Sequence, residues 1–141
     1  MNVAYALSAY PAGWLSDRMN RWGVFAVGAA LLIGADLVLA FGASIAVVGI
    51  GIALWGLHMG CTQGLLAALV ADAARTEQRG TAFGVFNLAS GVAMLLASGI
   101  AGALWDASGA RAAFALGATI ALLTVIALAA ARRTLARHEA R

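Results

Sequence analysis

Lysine is absent from the 141 residues, and proline and cysteine occur once each, at Pro11 and Cys61. The only fixed cations are therefore nine arginines, set against six acids. One cysteine excludes an intrachain disulfide and any multi-cysteine metal centre. Charge is scarce throughout, at 11% of residues, where a soluble domain carries about 25%. Two histidines, His58 and His138, form no HxxxH pair, and no nucleotide-binding loop or nucleophile elbow is present. Gly49-Ile50-Gly51 lies inside an apolar run, so it carries no nucleotide signal. No metal, no cofactor and no enzymatic chemistry is expected. The arginines stand between apolar runs and not within them, which removes nucleic acid as a partner and turns the basic balance into a topology signal.

What the chain has in abundance is apolar length, at 63% hydrophobic residues. Gly80 to Trp105 holds 26 residues without a charge. As a helix it spans roughly 39 Å, more than the ~30 Å of bilayer hydrocarbon. The expected fold is all-α and integral to the membrane: a helix bundle with four full crossings plus one partial N-terminal crossing. The crossings fall at about 1–15, 23–42, 45–71, 80–105 and 112–131. Residues 1–133 form the bundle and 134–141 a cytoplasmic tail. The first stretch is short and interrupted by Pro11 and Gly13, so it reads as part of a crossing. No secretory leader is expected, because Asp17 and Arg18 stand where a cleavage site would fall. Residues 37–71 contain no charge, and a turn at Gly42-Ala43-Ser44 is needed to divide them. Ala26, Ala30 and Gly34 form one small-residue stripe, and Gly56, Gly60 and Gly64 another.

The arginines are one-sided. Arg18 and Arg21, Arg75 and Arg79, and Arg132, Arg133, Arg137 and Arg141 fall on alternate connections, against Arg111 alone on the other side. That bias assigns the arginine-rich connections and the C-terminus to the cytoplasm of a multi-pass protein of the cell (inner) membrane. Trp14, Trp22 and Trp105 fall at predicted interfaces.

The segment Gly13-Trp14-Leu15-Ser16-Asp17-Arg18-Met19-Asn20-Arg21 resembles the signature loop of the major facilitator superfamily (MFS) of secondary transporters. Gly13, Leu15, Ser16, Asp17, Arg18 and Arg21 match its pattern, while Asn20 stands where glycine is usual and Trp22 where a second base is common. Glu77-Gln78-Arg79-Gly80 is similar to a later loop of the family. The resemblance implies a C-terminal fragment, helices eight to twelve, of a transporter working by alternating access. It implies a gating role for the loop through Gly13, Asp17, Arg18 and Arg21. From the residues themselves, Asp17 is placed to cap the helix beginning near Asn20, and Arg18 or Arg21 to pair with Asp17, Asp72 or Glu77. The same residues also fit a plain charged turn that only sets topology.

Polar groups inside the crossings are the candidate working parts. Asp36, the only acid within a crossing, is the candidate for proton coupling, or else a structural acid or one that faces an outer water-filled vestibule. His58, Thr62, Gln63 and Asn87 are candidates for a substrate path. His58 fits equally a neutral histidine donating to a neighbouring helix carbonyl. Expected partners are membrane lipid, a small-molecule solute and the missing N-terminal half of the transporter. The function expected is proton-coupled transport of a small, drug-like or weakly polar solute, with the fragment alone inactive. The alternative is a small non-transporting membrane subunit or an inert truncated product.

Overall fold

The computed structural model describes residues 2–18 and 20–139; the side chains of residues 2, 9, 12, 15–18 and 134–139 lie outside that description. The described chain is helical almost throughout. Helix α1 is Asn2–Arg18, α2 is Arg21–Phe41, α3 is Ile45–Ala73 and α4 is Arg79–Glu139, with a short 3-10 turn Thr76–Gln78 before α4.

Two of the helix starts have side-chain caps. Asn20 Oδ1 accepts from the Trp22 backbone N–H at 3.1 Å, and Ser44 Oγ accepts from that of Val47 at 3.3 Å. Each satisfies a donor that has no partner within its own helix. The chain leaves α2 through Gly42 and Ala43 and re-enters at Ile45.

Among the described residues, three helices are long and apolar enough to cross a membrane: Arg21–Phe41, Ile45–Ala73 and Thr76–Arg133. This corrects the expected four full crossings plus a partial one, in two places. The first helix has 17 residues, about 25 Å, and ends in Ser16-Asp17-Arg18, so it falls short of a span. It also runs through Pro11 without ending there. The expected turn at 106–111 is absent as a loop. Asp106, Ala107 and Ser108 stay helical, and only Gly109, at φ 80° and ψ 173°, departs from helical angles. A residue without Cβ takes that left-handed φ at no steric cost, so one residue does what a loop was expected to do.

The bend at Gly109 is sharp. Trp105 and Phe114 meet edge to face with ring centroids 5.9 Å apart. In a straight helix they would sit on opposite faces, roughly 13 Å apart along the axis. The second arm of α4 then runs antiparallel to α2. The Arg111 guanidinium lies over the Phe41 ring at one end, and that of Arg132 over the Trp22 ring at the other. Between them Asp36 lies against Gly117.

The core is thin and sits around α2. Val24, Gly28, Ala29, Ala35, Asp36 and Ala40 are its buried residues. That stripe differs from the expected one: Ala26 and Ala30 are exposed, and nothing lies within 4 Å of a side chain built at Gly34. On α3, Gly51, Gly56 and Gly60 are buried, while Gly64 is exposed. Gly60 receives Ser8 of α1, and Gly51 receives Leu39 of α2. The first arm of α4, residues 79–105, is exposed along most of its length.

Candidate functional site

The candidates for the substrate path, for proton coupling and for gating lie in separate places. The first is where α2 crosses α3. His58 Nδ1 donates to the Gly28 carbonyl at 2.8 Å; a carbonyl can only accept, so Nδ1 carries the hydrogen. In the neutral ring Nε2 is then left as an acceptor. Thr62, one turn on, donates its hydroxyl to the His58 carbonyl at 2.9 Å. A methyl group at Gly28 would lie 2.7 Å from Thr62 Cγ2 and 3.4 Å from Cys61 Cβ. The helices approach this closely because residue 28 has no side chain. His58 and Thr62 therefore come together, as their four-residue spacing requires. Gln63 does not join them and is exposed, and Asn87 is exposed on the first arm of α4.

The second place is Asp36. The residue is 5% exposed, and no hydrogen bond or ion pair reaches its side chain among the described residues. A Cβ at Gly117 would stand 2.6 Å from its Oδ2, so the carboxyl group is seated on bare backbone of the facing arm.

The third place is the polar connection between α1 and α2. Gly13 is exposed within α1. Asp17 and Arg18 belong to the last turn of α1, but their side chains lie outside the described residues. The start of α2 is capped by Asn20, a residue noticed in the sequence only as a departure from glycine. The preference of asparagine for helix starts was the available signal. Arg21, the first residue of α2, pairs with Asp72 near the end of α3 at 2.5 Å. Both partners are about half exposed. The pair joins the start of α2 to the end of α3, the end where Arg132 also lies.

No group of three or more potential metal ligands occurs among the described residues. One exposed groove lies beside the 3-10 turn, lined by Val70, Ala73, Arg75, Gln78, Val85 and Phe86 among others. It contains none of the candidate path residues.

Comparison with known proteins gives the arrangement its context. The chain is 32% identical over 127 residues to an uncharacterized MFS-type transporter of Methanocaldococcus jannaschii. The match covers 90% of this chain and 32% of that protein, so the chain spans about a third of its relative's length. No solved structure matches the chain. The family model described as Major Facilitator Superfamily matches residues 1–141. The chain belongs to the major facilitator superfamily, a family of membrane transporters and not of enzymes.

Proposed function

We propose that the chain is the C-terminal part of a secondary transporter that moves a small solute by alternating access. The match of residues 1–141 to a transporter family carries this reading. The position of the signature segment after the first helix supports the C-terminal placement, and the one-sided arginines support a cytoplasmic C-terminus. In this reading the bundle rocks against a facing half around a central site, so the isolated chain has no complete pathway.

The pair Arg21–Asp72 is the proposed cytoplasmic latch. It ties the connection before α2 to the last turn of α3, and it is exposed enough to break without leaving a buried charge. Half-exposed pairs contribute ~0–1 kcal/mol, a size suited to biasing two conformations and too small to lock one. Asp36 is the proposed coupling acid. His58 and Thr62 are the proposed solute-path residues, with the free Nε2 of His58 available as an acceptor. Gln63 and Asn87 belong to the path only where a facing half covers them.

The test uses the full transporter that contains this segment. Arg21→Ala and Asp72→Ala should each change the uptake rate several-fold. The swap Arg21→Asp with Asp72→Arg should recover most of it. Uptake that ignores all three variants removes the latch. Asp36→Asn should abolish the pH dependence of uptake, and an unchanged pH profile removes the coupling role.

A further inference from the structure

We propose that the outward face of the second arm of α4 seats an anionic phospholipid, with its phosphate on Arg133 and an acyl chain along Ile126, Ala129 and Ala130.

The seat is an open groove, apolar along its length and cationic at one end. Among the described residues it is lined by Ile126, Ala129, Ala130 and Arg133. Spacings of three and four put these residues on one face of the helix. That face points away from the bundle. Ala118 is buried, Ala121, Val125 and Leu128 are half-buried, and Arg132 lies over Trp22 of α2. Ile126, Ala129 and Arg133 each stand one position after a member of that row, about 100° round the helix. All four groove residues are exposed.

Charge decides what fits there. The sequence has no acid between Asp106 and Glu139. Arg132 is engaged by Trp22, Asp72 is taken by Arg21, and no ion pair reaches Arg133 among the described residues. A guanidinium offers phosphate a planar fork of donors. Residues 112–131 carry no charge, so Arg132 and Arg133 are the first charges the helix brings to this end of the membrane. Ile126 lies seven residues back, about 10 Å along the axis, at acyl-chain depth when Arg133 stands among headgroups. The two alanines between them leave the helix backbone open to close contact with methylene groups. Arg137 and Arg141 follow in the sequence, and juxtamembrane arginines of this kind gather anionic lipid at the surface. A soluble anion would use the arginine and leave the apolar face bare. A phospholipid of net negative charge uses both.

The test counts bound lipid, so its outcome is independent of whether the chain transports anything. The full chain in detergent is titrated with phosphatidylglycerol or with phosphatidylcholine of the same acyl chains, and retained lipid is read by native mass spectrometry. The parent should retain phosphatidylglycerol in clear preference to phosphatidylcholine. Arg133→Gln should lower that retention roughly tenfold, the size of a charge-assisted hydrogen bond to phosphate, and Arg133→Lys should lower it less. Arg79→Gln removes the same charge from the exposed first arm and should change retention little. Ala129→Leu fills the groove, keeps every charge and should lower retention several-fold. Glycerol phosphate, which has the phosphate without the chains, should not displace the lipid at equal concentration. Each altered position is exposed, so the bundle stays intact in every variant. Equal losses from Arg133→Gln and Arg79→Gln overturn the seat, as does full retention in Ala129→Leu. Displacement by glycerol phosphate, or an Arg133→Gln variant that loses a dimer and keeps its lipid, overturns it as well.

Discussion

At the scale of single residues, what decides the packing is where a side chain is missing. Gly28 lets His58, Cys61 and Thr62 of α3 reach α2, and the hydrogen bond from His58 Nδ1 to the Gly28 carbonyl fixes the register of that crossing. Gly28→Ala places a methyl group 2.7 Å from Thr62 Cγ2. Overpacking of this kind costs ~1–3 kcal/mol. Thr62→Ser removes the obstructing methyl and keeps the hydroxyl. Unfolding in mixed micelles should therefore show Gly28→Ala strongly destabilising alone, and largely recovered beside Thr62→Ser. Additive losses would mean that the two groups do not meet. His58 was legible in the sequence as a residue with two possible roles. The structure engages one ring nitrogen in a helix–helix bond and leaves the other to the path proposal. Asp36 was legible as an anomaly, but its neighbour was not, because Gly117 lies 81 positions away and nothing local in either segment announces the other.

At the scale of elements, the helix starts were readable and the bend was not. Ser44 after Gly42 is a strong start signal, and α3 begins directly after it. Asn20 is an equally good signal that the resemblance to a glycine-bearing loop obscured. The stretch Asp106-Ala107-Ser108-Gly109-Ala110-Arg111 has the composition of a turn. Its polar residues remain helical because they are exposed, and a helix surface accommodates exposed polar groups as well as a loop does. Gly109 alone carries the change of direction. A left-handed φ costs a residue with Cβ roughly 1–2 kcal/mol. Gly109→Ala should reduce stability by about that amount. It should also part Trp105 from Phe114, measurable as a change in Trp105 fluorescence in a variant lacking the other three tryptophans. An unaltered Trp105 spectrum with unaltered stability would place the bend elsewhere.

At the scale of the molecule, the bundle is unevenly filled. The second arm of α4 lies along α2, but the first arm, residues 79–105, shows Val85, Leu88, Met94, Leu95, Leu96 and Ile100 on an exposed surface. Uncharged surface of this extent is covered by lipid or by other protein in a membrane. The structure pairs Arg21 with Asp72 and sets Arg132 over Trp22, beside the start of α2. The number of spans was not readable, because hydropathy marks apolar length and is blind to whether a bend interrupts it. With about a third of its relative's length, the purified chain in proteoliposomes should show no saturable flux of solutes. Saturable flux from the purified chain would overturn the reading of it as one part of a larger pathway.

The corner at Gly109 has a practical consequence. A one-residue reversal leaves no slack backbone, so neither a protease nor an antibody finds a strand there to grip. Handles for following the chain belong instead at Ala43-Ser44 and Ala74-Arg75, where the peptide leaves helical geometry with room to spare.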